Sequence, residues 1–288
     1  MTAPKGRVTM SDTNEPTAIL AAGTPCWVEL ATPDESAARA YYEQLFGWTF
    51  AVKRDPATVN HRYNIATLDG WEVGGMYQAG RNQPTGWVPH LAVTNAAATA
   101  EWVQHLGGVV TLGPVEIPDR GAIVHALDPS GTPVVFWQLA DSWTFARSLP
   151  GSFSGSDLNT HDAARADGFY DKLFGYTSHQ VGTDGIDYLE WRLGGDPVIY
   201  RYVLPPEDAG RSPHWMVYLQ VDPHRGTDAV AGQSLMLGGS VITPPFDTPF
   251  GRIAVLADPG GAVFSVVDHS CPVDLGVGRA EVDDPYDD

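Results

Sequence analysis

Cysteine is nearly absent from this chain: Cys26 and Cys271 are the only two in 288 residues. So few thiols exclude a disulfide-stapled framework and read as incidental. Basic residues are scarce as well, with 17 Lys and Arg against 35 Asp and Glu and a formal net charge of −18. A face that binds phosphates needs clustered cations. None occurs, which argues against nucleic acid and anionic membrane surfaces as partners. No apolar run approaches the roughly 20 residues that cross a bilayer, and no basic segment leads into an apolar stretch at the amino terminus. The expected location is the cytoplasm. There is no Gly-x-Ser-x-Gly elbow, and the Gly-Gly pairs read as turns or helix stops rather than a dinucleotide fingerprint.

What the chain does contain, it contains twice. Thr32-Pro33-Asp34, Tyr41-Tyr42 and Leu45-Phe46-Gly47-Trp48 return as Thr160-His161-Asp162, Phe169-Tyr170 and Leu173-Phe174-Gly175-Tyr176, at a constant offset of 128 residues. Leu106-Gly107-Gly108 and Asp128-Pro129-Ser130-Gly131 are answered by Leu237-Gly238-Gly239 and Asp258-Pro259-Gly260-Gly261. Repetition on this scale means a duplicated domain.

Each half divides again. Cys26 to Ala31 alternates as a strand, Thr32-Pro33-Asp34-Glu35 starts a helix that Gly47 stops, and three extended stretches follow. The pattern restarts at Trp87, and the second half runs the same course, so four β-α-β-β-β units are expected. One unit leaves a sheet face uncovered; two paired units make a curved sheet with helices outside and a cup inside. The expected boundaries are a flexible arm at 1–22, a first domain at 23–139, a linker at 140–152, a second domain at 153–270 and a solvated acidic tail at 271–288.

Those ordered, duplicated pieces, from about Pro25 to Asp268, make the chain resemble the vicinal oxygen chelate superfamily of glyoxalases, bleomycin resistance proteins and extradiol dioxygenases. More closely it is similar to the tandem-domain glyoxalase-like proteins of actinobacteria, a branch that includes products of aromatic polyketide clusters. The implied fold class is α+β, with two tandem vicinal-oxygen-chelate domains, each a curved mixed sheet around a cup.

The resemblance also implies a divalent metal, held by His, Gln or Glu from the first and last strands of paired units. Counted from Asp34 and its counterparts, the ligand positions fall on Trp27, Val88 and Val135 in the first domain. In the second they fall on Gly155, Met216 and Ser265. These are not the donors such metals take, so neither a family-type metal nor any other cofactor is expected. Strand parity aims Glu29 into the first cup two residues after Trp27, and His90 two residues after Val88. Asp157 and Tyr218 are their counterparts. Each cup would then pair a carboxylate with a proton-transferring ring, a general acid and base arrangement. The plainer alternative is that the carboxylates tie down a strand and the rings pack.

Aromatic residues suit a planar hydrophobic ligand. Trp27, Trp137 and Trp215, with Val88, Val135, Met76 and Met216, are the candidate ligand contacts, while His125 is left open. The expected function is a metal-independent enzyme of natural-product metabolism, acting on an aromatic or polyketide-like molecule by acid and base chemistry. The alternatives are a protein that only sequesters such a compound and a metal-dependent dioxygenase or glyoxalase. A monomer or weak homodimer is expected, since two domains in one chain mimic a dimer.

Overall fold

The computed structural model describes residues 20–182 and 185–273. Most of the expected arm and nearly all of the expected acidic tail lie outside the described residues. The first unit comprises β1 (Pro25–Thr32), α1 (Glu35–Phe46), β2 (Thr49–Arg54), β3 (Arg62–Leu68) and β4 (Trp71–Gln78). It is followed by β5 (Gly86–Ala92), α2 (Ala96–His105), β6 (Val109–Ile117), β7 (Gly121–Leu127) and β8 (Pro133–Leu139). The second half repeats this with β9 (Phe153–Thr160), α3 (Ala163–Phe174), β10 (Thr177–Gln180), β11 (Tyr188–Leu193) and β12 (Asp196–Val203). It ends with β13 (His214–Gln220), α4 (Thr227–Met236), β14 (Ser240–Thr248), β15 (Gly251–Ala257) and β16 (Val263–Asp268).

Each half is one eight-stranded sheet in the order β2-β3-β4-β1-β5-β8-β7-β6, or its equivalent in the second half. The sheets are mixed: β1 runs parallel to β4 and antiparallel to β5, and β5 runs parallel to β8. The two tandem vicinal-oxygen-chelate domains expected from the repeat are therefore present. Among the described residues no helix is long and apolar enough to cross a membrane.

The repeated motif does two jobs. Locally, Asp34 accepts from the amides of Ser36 and Ala37, both at 3.0 Å, and so caps α1. Gly47 closes the helix in the left-handed region at φ 77°, where a side chain would be strained. Asp162 and Gly175 repeat this around α3.

The second job lies between domains. Val28 and Leu30 of β1 pack with Tyr41, Tyr42 and Leu45 of α1, and the same core takes in Val217, Leu219, Val230 and Phe264 of the second domain. A matching core joins Leu91, Val103 and Phe136 to Leu158, Phe169, Tyr170 and Trp191. The helical face of each half-sheet is thus buried against the other domain. Two reciprocal hydrogen bonds tie these cores together. Tyr42 donates to Oδ2 of Asp258 at 3.2 Å, and Tyr170 donates to Oδ2 of Asp128 at 3.3 Å. The other oxygen of each aspartate accepts amides of its own Asp-Pro-x-Gly turn.

Two residues expected to contact ligand belong instead to these helix-side cores. Met76 lies in register with Leu30, and Trp215 with Leu158. Directly opposed residues share a face, so both point away from the cups, and Trp215 spends its indole N–H on the carbonyl of Pro133.

The two tyrosines differ in one respect that a measurement can use. The Tyr42 hydroxyl also accepts the indole N–H of Trp87 at 3.1 Å, whereas the Tyr170 hydroxyl serves Asp128 alone. Tyr42→Phe should strand a buried donor and cost about 2 kcal/mol, against about 1 kcal/mol for Tyr170→Phe. Urea unfolding that finds the reverse order would remove the reciprocal bonds as the reason the motif is repeated.

Candidate functional site: two unlike cups

The first cup opens on the face of β1 that carries Trp27 and Glu29. It holds a cavity of about 400 Å³ walled by both residues with Tyr63, His90, Arg120 and Trp137. Glu29 and His90, picked out by parity, do meet: Nε2 of His90 lies 3.2 Å from Oε2 of Glu29, and both are buried. The approach is off the hydrogen-bonding direction, however, and neither ring nitrogen of His90 has a hydrogen-bond partner.

The second carboxylate oxygen of Glu29 faces Nδ1 of His125 at 4.0 Å. Tyr63 donates to Oε2 at 3.3 Å and takes the indole N–H of Trp27 at 2.7 Å. Burial alone would push the Glu29 carboxyl up; the fields of His90 and His125 and the hydrogen bond from Tyr63 outweigh it and hold it below the usual range. His125 is shifted down, chiefly by burial.

Sequence reasoning missed Arg120. Its guanidinium carbon stands 4.8 Å from the Trp27 ring centroid and 5.1 Å from that of Trp137, between two indoles. Nη1 is spent on both oxygens of Glu72, while Nη2 is buried without a partner. His90 packs on the same indole, with its ring centroid 5.5 Å from that of Trp137. Val88 and Val135 lie on the cup side, in the apolar cluster that includes Trp27, and not on the cavity wall.

The second cup is smaller, about 130 Å³, and is lined by Gly155, Asp157, Tyr188, Tyr200, Tyr218, Phe250 and His269 among others. Asp157 and Tyr218 meet as parity predicts, the hydroxyl donating to Oδ2 at 2.6 Å, and Tyr188 adds longer contacts at 3.4 Å. Met216, in register with Asp157, faces the cup but does not line the cavity.

Sheet register aligns the two cups position by position. Across the first runs the row Trp27, His90, Val135, His125; across the second runs Gly155, Tyr218, Ser265, Val255. Glu29 pairs with Gly75 where Asp157 pairs with Tyr200. Arg120 and Phe250 each precede the glycine that opens β7 or β15. A Cβ at Gly75 would collide with the ring of Tyr63, so glycine there lets that ring lie over the sheet. Comparing Arg120-Gly121 with Phe250-Gly251 would have exposed this difference in sequence.

A metal of the family type does not fit these residues. Of the six ligand positions, Trp27, Val88, Val135, Gly155 and Met216 offer no hard donor, and Ser265 offers a hydroxyl alone. Among the described residues no group of three or more His, Cys, Asp or Glu is placed to hold a metal ion.

Sheet order and the paired cups define the class: a tandem vicinal-oxygen-chelate protein with unlike sites. Known structures agree on the fold. The Mn(II)-bound glyoxalase of Novosphingobium aromaticivorans superposes with a TM-score of 0.62 at 17% identity, covering 88% of this chain and 85% of that one. A catechol 2,3-dioxygenase superposes at 0.58 and 16% identity, over 89% of this chain and 91% of that one.

Sequence relatives are nearer. The chain is 33% identical over 264 residues to the anthracycline biosynthesis protein DauV of Streptomyces sp. strain C5, covering 86% of this chain and 94% of DauV. It is 34% identical over 252 residues to CFP32 of Mycobacterium tuberculosis, a protein that carries the name glyoxylase, covering 85% of this chain and 94% of CFP32. No family model matches the chain. It belongs to the glyoxalase-like tandem-domain family that contains DauV and CFP32.

Burial pushes the Asp157 carboxyl up to about 7, against the opposing hydrogen bonds from Tyr218 and Tyr188. In the unfolded chain the group returns to about 4, so the native state holds the proton more tightly. The stability it confers is fully present below about pH 4 and is lost as pH rises through about 7. The wild-type urea midpoint should therefore fall between pH 5 and pH 8 by more than that of Asp157→Asn. Equal slopes in the two proteins would show that Asp157 is ionised in the fold.

Proposed function

We propose that the first cup is a metal-independent acid and base site acting on an aromatic, polyketide-like molecule of secondary metabolism. One observation carries the reading: His90 is buried against a carboxylate, yet both its ring nitrogens are without hydrogen bonds in a cavity large enough for a polycyclic ligand. A histidine kept only for packing would have its polar atoms satisfied. The family relation to DauV, named for anthracycline biosynthesis, supports the substrate class.

In this reading the planar ligand lies against Trp27 and Trp137 and aims an acidic proton at His90. His90 takes it, and ionised Glu29 at 3.2 Å stabilises the imidazolium that forms. The substrate oxygen that gains charge meets Nη2 of Arg120, a donor held ready between the indoles and needing no reorganisation. Return of the proton at another atom completes an isomerisation or cyclisation.

Glu29→Gln should lower turnover of an anthracycline aglycone by about 10²- to 10⁴-fold while leaving its affinity within a few-fold. Trp27→Ala should weaken affinity. Single-turnover and binding titrations of both variants check this. Loss of affinity in Trp27→Ala, with no turnover by the wild type, would leave a sequestering protein instead.

A further inference from the structure

Substitution by substitution, the second cup has lost nitrogen bases and a guanidinium and gained phenol and phenyl rings. Where the first has His90, His125 and Arg120, the second has Tyr218, Val255 and Phe250; where the first has Gly75, the second has Tyr200. Its carboxylate is kept. Among the described residues no Lys or Arg lines the cavity. The guanidinium whose field reaches Tyr200, that of Arg192, is engaged by Glu190. The His269 nitrogens are taken by Ser154 Oγ at 2.6 Å and the Phe250 carbonyl at 2.7 Å.

Asp157 is therefore a buried acid whose protein partners are neutral phenols. The rings beside it form a wall: Tyr188 and Tyr200 stack at 5.5 Å, and Phe250 stands edge-on to both at 6.2 and 5.5 Å. Aromatic faces attract cations, and a buried carboxylate without a counter-charge is costly until one arrives. At about 130 Å³ the space is below the roughly 300 Å³ of pockets that enclose a drug-sized ligand. It suits a small group, not a polycycle.

We propose that the second cup is a separate binding site for the ammonium group of an organic amine, with Asp157 as its counter-ion and the Tyr188, Tyr200 and Phe250 rings as its wall. The site does not depend on the chemistry assigned to the first cup. Ammonium binding ionises Asp157, so below neutrality each amine bound releases a proton. The groups that face this carboxyl are Tyr218, Tyr188, Tyr200 and, across the cavity, His269. Glu190 and Arg192 flank Tyr200.

The test uses the full chain with choline and its uncharged carbon isostere, 3,3-dimethylbutan-1-ol, followed by calorimetry or NMR titration at pH 8 and pH 5.5. Choline should bind at least about tenfold more tightly than the alcohol at pH 8 and lose most of that preference at pH 5.5. Asp157→Asn should abolish the preference and its pH dependence, Tyr200→Leu should weaken it several-fold, and Glu29→Gln in the other cup should leave it unchanged. Equal binding of choline and the alcohol would overturn the proposal. So would unaltered choline binding in Asp157→Asn, loss of choline binding in Glu29→Gln, or no choline binding up to about 10 mM.

Discussion

The two domains hold each other by their helical sides, and that arrangement leaves both cups free to face outward. An eight-stranded sheet with two short helices has more apolar surface on its convex side than those helices cover. The chain meets this by setting α1 against the second domain's last unit and α3 against the first domain's last unit. Tyr42 to Asp258 and Tyr170 to Asp128 fix the relation at two symmetric points. The aspartates that organise the turns before β8 and β16 are the same ones that receive the partner domain's tyrosine, so turn geometry and domain docking are one constraint.

That constraint falls on the convex side alone. Residues at the tyrosine and turn positions recur in both halves because each half needs the other to keep them. Nothing in the docking restrains the concave side, and there the halves diverge: Trp27 against Gly155, His90 against Tyr218, Arg120 against Phe250. The carboxylate on the first strand and the tyrosine that reaches it, Tyr63 or Tyr188, persist in both cups, as do Ile123 and Ile253 on the cavity walls and Tyr77 and Tyr202 beside those tyrosines. The shared pair anchors β3 or β11 to the first strand, while most of the other wall positions differ between the halves.

This division also governs what could be read from sequence. The repeat at an offset of 128 residues was visible because docking preserves it, and with it came the α+β fold, the unit order and the parity that places Glu29 with His90 and Asp157 with Tyr218. Parity reaches only residues on strands whose neighbours are known. Met76 follows a Gly-Gly pair that gives no facing signal, and its pairing with Leu30 sets its side only once β4 is seen beside β1. Arg120 lies in the turn between β6 and β7, where no periodicity applies, and Tyr63 and Tyr188 reach their carboxylates from strands far along the chain. Tyr200 was visible as an aromatic residue, yet its place beside Asp157 comes from the parallel pairing of β12 with β9.

The electrostatics of the two cups point the same way from opposite starting points. The first buries an ionised carboxylate and keeps it so with nearby imidazoles, while the guanidinium of Arg120 is stabilised by two indole faces and by Glu72. The second buries a carboxyl and lets burial hold the proton on it up to about pH 7. For folding alone, each would be served as well or better by an apolar pair of similar volume. Neither cup has become apolar: the first keeps Nη2 of Arg120 and the His90 ring without partners, and the second keeps a carboxyl bonded by neutral phenols, and in the readings proposed above these are the groups a ligand would complete.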